Sequence, residues 1–195
     1  MPQQSDTRIC VICKSNQNRS MEAHHVLKNS GFTVWSFGTG SAVRLPGPSI
    51  DRPNVYPFGV PYDTIYEDLI QQDARLYTAN GLLGMLDRNR KIKAAPEKFQ
   101  DAPGTFDVII SCEERCFDQA LEDLVGRPEP LGRPVHVVNV EIKDNHTEAA
   151  KGAEDIKRLV EAIDQATNRD EAIADIVTRF QEKTKRPLLH AVAYY

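Results

Sequence analysis

The chain has 195 residues, of which 41% are hydrophobic and 27% charged, and carries a formal net charge of −4. That balance describes a folded globular protein with one sizeable core; it speaks against a disordered chain and against a broad nucleic-acid-binding face. No apolar run approaches the roughly 18 residues that a membrane span needs, and the N-terminal MPQQSDTR lacks the charged-then-apolar pattern of a signal peptide.

The four cysteines, Cys10, Cys13, Cys112 and Cys116, are therefore expected as thiols in a reducing compartment, cytosol or nucleus. Residues 7–12, TRICVI, are short, apolar and β-branched, the pattern of a buried parallel strand. Residues 20–29 place Met21, Ala23, Val26 and Leu27 at helical spacing, and Gly31 stands where a helix stop is expected. FTVWSF (32–37) alternates as a strand. The stretch after it, up to Pro61, is rich in proline and glycine, which excludes a regular helix or a central strand. A loop of that length inside a compact domain is usually functional.

Residues 62–73 and 76–88 predict two helices, and FDVIIS (106–111) a strand, followed by a helix over EERCFDQALEDLV. PVHVVNV (134–140) reads as a strand, 146–166 and 169–184 as two long helices, and LLHAVAYY as a last strand. Strands alternating with helices predict a parallel sheet covered on both faces. The expectation is one α/β domain over 1–195, three-layer α/β/α with a mainly parallel central sheet. A loop and a small helical cap are inserted at about 40–92.

In such a sheet the loops at the strand C-terminal ends share one edge, where ligands bind. CKSNQNRS (13–20) lies there, between the first strand and the first helix. A short loop entering a helix turns its N–H groups inward as an anion nest, and the helix dipole adds positive potential. A cysteine at its mouth is expected to favour thiolate. Arg19 offers a planar fork to two phosphoryl oxygens. Asn16 and Asn18 are the non-glycine residues best suited to left-handed angles in a loop without glycine. Ser20 is placed to donate to the sulfur. This constellation predicts covalent phosphate-ester hydrolysis through a phosphocysteine, with no metal or other cofactor required. The leaving oxygen needs a carboxylic acid. Glu141 and Asp144, just past the fourth strand, are the candidates, and Asp144 reaches further over the pocket; a helix-capping role for it is the competing reading.

The Cys10–Cys13 and Cys112–Cys116 spacings also invite a zinc site, but Cys10 falls inside the strand. A milder alternative lets Cys10 capture oxidised Cys13 as a redox lock. The basic run RNRKIK (88–93) reads as a nuclear import signal, a substrate-steering patch or a solvated helix end.

CKSNQNRS followed by MEAH resembles the phosphate loop of the low-molecular-weight tyrosine phosphatase fold. With GFTVWSFGTG, RLPGPSIDRPNVYPFG, LYTANGLLGMLDRNRKIK, CEERCFD, RPVHVVNVEIKDNHTEA and LLHAVAYY, nearly the whole chain is similar to the metal-independent phosphatases of the RNA polymerase II C-terminal domain, a family that works with the pre-mRNA 3′-end cleavage machinery. The resemblance implies a nuclear enzyme acting on phosphoserine-proline in Tyr-Ser-Pro-Thr-Ser-Pro-Ser repeats, chiefly at the second serine-proline, with the proline cis. It implies help from a proline isomerase and a symplekin-like scaffold as partner, and neither nucleic acid nor membrane as a direct partner. By motif match it implies Cys13 as nucleophile, Arg19 as clamp and Asp144 as acid. Lys14, Ser15, Asn16, Gln17, Asn18 and Ser20 complete the phosphate loop. Arg44, Leu45 and Pro46, with Tyr77, Leu82 and Met85 of the cap, form the peptide groove. Lys14 and Glu141 depart from the family pattern. The alternatives are a tyrosine phosphatase or arsenate reductase on the same loop, or a mainly scaffolding subunit of the cleavage and polyadenylation complex.

Overall fold

The computed structural model describes residues 5–128 and 131–195; residues 1–4, which open the MPQQSDTR stretch, and 129–130 lie outside the described residues. A five-stranded sheet in the order β2-β1-β5-β6-β7 forms the middle layer. It is built from β1 (Ile9–Cys13), β2 (Val34–Gly38), β5 (Val108–Ser111), β6 (Pro134–Val140) and β7 (Leu188–Tyr194). The first four are mutually parallel, and β7 runs antiparallel to β6. Every residue of β1 and β5 is buried, as expected for central strands covered on both faces.

The period of two in β1 divides the core. Ile9, Val11 and Cys13 pack on one face with residues of α1 (Arg19–Asn29), α5 (His146–Asp164) and α6 (Arg169–Thr184). Cys10 and Ile12 pack on the other with α4 (Glu114–Gly126) and Phe99 of a short 3-10 turn. The helix stop at Gly31 is present, with φ at 90°. The three-layer architecture is the one the sequence pattern predicts.

The inserted segment differs from expectation in two places. The proline-rich stretch contains an antiparallel hairpin, β3 (Val43–Leu45) and β4 (Asn54–Tyr56), which forms its own two-stranded sheet. Its prolines bracket the strands rather than occupy them, which preserves the ladder hydrogen bonds. The cap is α2 (Tyr62–Ala79) and α3 (Leu82–Ile92), not 62–73 and 76–88. The backbone does leave helical geometry at Asp73, but Asp73 Oδ1 accepts from Leu76 N at 2.9 Å and restarts the helix at once. The true break falls at Asn80–Gly81, where Gly81 takes φ of 81°. Tyr62, Ile65, Leu69, Tyr77 and Leu86 give the cap its own apolar cluster, which reaches Met21 of α1 and Leu45 of β3.

Candidate active site

Cys13 ends β1, buried and at the sheet edge where the parallel strands terminate. The loop after it is fastened from outside by its carbonyl oxygens. The Lys14 carbonyl accepts from Gly40 N at 2.9 Å, that of Asn16 from the Tyr62 hydroxyl at 2.6 Å, and that of Gln17 from Asn89 Nδ2 at 2.9 Å. The Asn18 carbonyl accepts from Glu22 N at 2.9 Å as the first bond of α1. All peptides among the described residues are trans, so each of these planes aims the next N–H the opposite way. The amides of Ser15, Gln17, Asn18 and Arg19 therefore face into the ring, which makes the anion nest. Gly40 permits the close approach: a Cβ there would stand 2.9 Å from the Lys14 oxygen.

The two asparagines do different jobs. Asn16 takes the left-handed conformation, with φ of 53°. Asn18 does not; its φ is −109°, because it is already the cap position of α1. Asn16 Nδ2 donates to Ser20 Oγ at 3.0 Å, and Ser20 Oγ lies 3.0 Å from Cys13 Sγ. With its lone pair engaged by the amide, the Ser20 hydroxyl has its proton free for the sulfur.

Arg19 is buried, and all three of its guanidinium nitrogens face protein groups. Nη2 pairs with Glu113 at 2.7 Å, Nη1 donates to the Ile142 carbonyl at 3.0 Å, and Nε lies 3.6 Å from Asp144 Oδ1 without a hydrogen bond. Burial opposes its charge, but Cys13, Asp144, Cys112 and the Glu113 hydrogen bond outweigh burial and raise its pKa above the ordinary arginine value. Glu113 was not among the residues expected at the site. Its position directly after β5, at the same sheet edge as Cys13, is the signal that identifies it.

The two candidate acids separate. Asp144 is 64% exposed, and its Oδ1 accepts from Asn18 Nδ2 at 3.0 Å. It does not cap α5; the next residue, Asn145, does, accepting from Glu148 N at 2.8 Å. Glu141 turns away and accepts from Glu114 N at 3.1 Å and Asn139 Nδ2 at 2.9 Å, which fixes the start of α4.

A cleft of about 120 Å³ opens over Cys13. Its floor is Cys13, Ser15, Gln17, Asn18 and Arg19; one wall is Arg44, Leu45 and Pro46, another Leu82 and Met85, and the rim Asp144, Asn145 and His146. Ser15 Oγ accepts from Arg44 N at 3.1 Å and joins floor to wall. His146, absent from the sequence expectation, has Nε2 3.0 Å from the Asn80 carbonyl and so links the rim to the cap. Tyr77 does not line the cleft. It is fully buried, with its hydroxyl between Asn54 Nδ2 and Gln72 Oε1, each at 3.0 Å, and props the β3–β4 hairpin from below. The Lys14 side chain is exposed outside the cleft.

The four thiols do not converge. Cys10 and Cys116 share one side of the sheet, Cys13 and Cys112 the other. Cys10 and Cys13 are three residues apart on a strand, so they point to opposite faces and the proposed redox lock between them has no geometry. Burial pushes the Cys116 thiol up to about 12 and those of Cys10 and Cys112 well above the ordinary range.

Comparison with known proteins follows the same lines. The family model described as Ssu72-like protein matches residues 7–195. The RNA polymerase II C-terminal domain phosphatase ssu72 of Schizosaccharomyces pombe is 55% identical over 197 residues and 100% of both chains. The human protein of that name is 51% identical over 191 residues, 98% of each chain. A crystal structure of Drosophila melanogaster Ssu72 with symplekin, bound to a cis peptidomimetic CTD phospho-Ser5 peptide, superposes with a TM-score of 0.95. It is 44% identical and covers 98% of this chain and 100% of its own.

Proposed function

The chain belongs to the Ssu72-like family, and from that premise we propose that it is a cysteine-dependent protein serine phosphatase of the RNA polymerase II C-terminal repeats, acting in the nucleus in transcription termination and mRNA 3′-end processing. Cys13 attacks phosphorus. The inward amides and Arg19 hold the equatorial oxygens as charge develops on them. Asp144 protonates the departing serine oxygen and then takes the proton of the water that cleaves the phosphocysteine. Ser20 donates to the sulfur and eases its departure in that second step.

The substrate is phosphoserine followed by a cis proline, seated between the Arg44–Pro46 wall and the Leu82–Met85 wall. The cis form is about 10–30% of X–Pro bonds in unfolded peptides, so a proline isomerase raises the rate when substrate is limiting. A symplekin-like scaffold is the expected partner. The observation that carries this reading is Ser20 Oγ at 3.0 Å from Cys13 Sγ, in a ring closed by the paired guanidinium of Arg19. An arsenate reductase needs a resolving thiolate, and burial holds the other three thiols protonated.

The test is phosphate release from singly phosphorylated heptad peptides, with and without chelator. Wild type is expected to turn over in chelator and Cys13→Ser to be inactive. Full activity in Cys13→Ser, or a requirement for added metal, overturns the proposal.

A further inference from the structure

Most of the basic run 88–93 sits at the solvated end of α3, paired with neighbouring acids. Arg90 pairs with Asp87 at 2.7 Å and Asp63 at 3.2 Å, Lys91 with Asp87 at 2.6 Å, and Lys93 with Glu97 at 2.7 Å. Arg88 turns inward instead. Its Nη2 donates to the Gln17 carbonyl at 2.9 Å and approaches that of Asn18 at 3.5 Å, while Nη1 pairs with Glu22 of α1. The neighbouring Asn89, fully buried, donates to the same Gln17 carbonyl at 2.9 Å, and its Oδ1 accepts from Arg88 Nε at 3.1 Å and Nη2 at 2.9 Å.

On the strength of the phosphatase reading above, we infer that Arg88 is a positioning residue for the phosphate chemistry. Its guanidinium clamps the Gln17 and Asn18 carbonyls from behind the loop. That clamp aims the amides of Asn18 and Arg19 at the phosphoryl oxygens and sets a second positive charge behind the nest. Three features support this. The clamped peptides are the two whose N–H groups lead into α1, where the dipole is strongest. The fork geometry matters: only a planar guanidinium meets two consecutive carbonyls, the Asn89 oxygen and Glu22 together. The charge is also felt at the nucleophile. Burial pushes the Arg88 pKa down, and Glu22, Tyr62 and Cys13 act against that push.

The experiment uses the full chain, p-nitrophenyl phosphate as substrate and inorganic phosphate as competitive inhibitor. Neither probe needs the peptide groove, so a wild type that cleaves p-nitrophenyl phosphate but no heptad peptide sinks the proposed substrate and leaves this test standing. Arg88→Met is expected to lower kcat/KM about 10- to 100-fold, below the loss for a direct oxyanion donor because Arg88 acts through the backbone. It is also expected to raise the inhibition constant of phosphate about tenfold. Arg88→Lys, which keeps the charge and loses the fork, should raise that constant about threefold. Arg90→Met, two residues on and paired with Asp87 and Asp63 rather than with the loop, is expected to stay within twofold of wild type. The inhibition constant reports folded molecules only, so a merely structural Arg88 leaves it unchanged however much protein is lost. An unchanged constant in Arg88→Met overturns the inference; if that variant does not fold, an unchanged constant in Arg88→Lys does so.

Discussion

In the proposed mechanism Arg19 is the group on which catalysis and stability meet, and Glu113→Ala tests both. The pair is 2.7 Å long, with 5% of the Arg19 side chain and 23% of the Glu113 side chain exposed. Removing one partner of a fully buried pair costs about 3–5 kcal/mol. Here Glu113 is partly wet and the Ile142 carbonyl still accepts from Nη1, which brings the expected loss to about 2 kcal/mol. For a chain of this length that is about 4–8 °C in Tm. The catalytic effect follows from where the guanidinium goes next. The nearest remaining carboxylate is Asp144, 3.6 Å from Nε, so Arg19 is expected to tilt towards it and occupy the oxygen that delivers a proton in the proposed mechanism. kcat is expected to fall about tenfold, a part of the roughly 10²- to 10⁴-fold that general acid catalysis contributes, because Asp144 is hindered rather than removed. Inorganic phosphate should bind no more weakly, since the pocket has lost a negative charge. Glu113→Gln, which keeps an accepting oxygen, should lie between. Thermal unfolding with and without saturating phosphate, beside kcat and KM on one peptide, makes the comparison. A Tm within 1 °C of wild type together with an unchanged kcat refutes the argument that Glu113 holds Arg19 in place.

Asp144→Asn should lower kcat on a phosphoserine peptide about 10²- to 10⁴-fold and much less on p-nitrophenyl phosphate, whose leaving group needs no proton; equal losses on both would remove Asp144 as the acid. Gly40→Ala drives a Cβ to within 2.9 Å of the Lys14 carbonyl, so the phosphate loop has to shift; a stability loss of about 1–3 kcal/mol and slower turnover on every substrate are expected from denaturant titration and kinetics. His24 is held down to about 4, first by burial and then by Lys93, Lys28 and His25. As pH falls the unfolded chain takes up this proton before the folded one, so the contribution is complete above about 6.5 and is lost progressively towards 4. It amounts to at most about 3 kcal/mol, and His24→Asn should flatten urea-midpoint curves across that window. Identical slopes for variant and wild type would refute it.

The sheet and the phosphate loop were legible because each carries a local pattern: the apolar run of β1, the same in β5 and β6, and a cysteine and an arginine bracketing a polar loop between strand and helix. The hairpin was not, because strands of three residues between prolines are too short to show a period. The helix break at Asn80–Gly81 was hidden by apolar residues that keep helical spacing across it. Asp144 and Asn145 are equally good caps by residue type, and only the backbone at Asn145, φ −145° and ψ 164°, decides between them. Arg88, Asn89, Glu113 and His146 act through partners far away in sequence, so they read as ordinary surface polar residues until the chain is folded. Tyr77 shows the reverse: an aromatic expected to face the peptide is needed by the core instead.

The two halves of the reaction rest on unequal foundations. The phosphate loop is tied at Lys14 to Gly40, at Asn16 to Tyr62 and at Gln17 to Asn89 and Arg88, all from outside the ring. In the proposed mechanism it is a preformed receptor for any phosphate monoester. Among the described residues Asp144 has only an amide from Asn18 and a distant Arg19 Nε, and most of its surface faces water. A carboxylate so loosely held is oriented by whatever fills the cleft beside it. Leu45 and Pro46 on one side and Leu82 and Met85 on the other are the surfaces a peptide can fill. Binding energy from residues flanking the phosphoserine is then used to fix the acid and exclude water rather than to hold the phosphate. Peptide selectivity in this enzyme should therefore appear in kcat more than in KM, and shortening the peptide should slow the chemistry before it weakens binding.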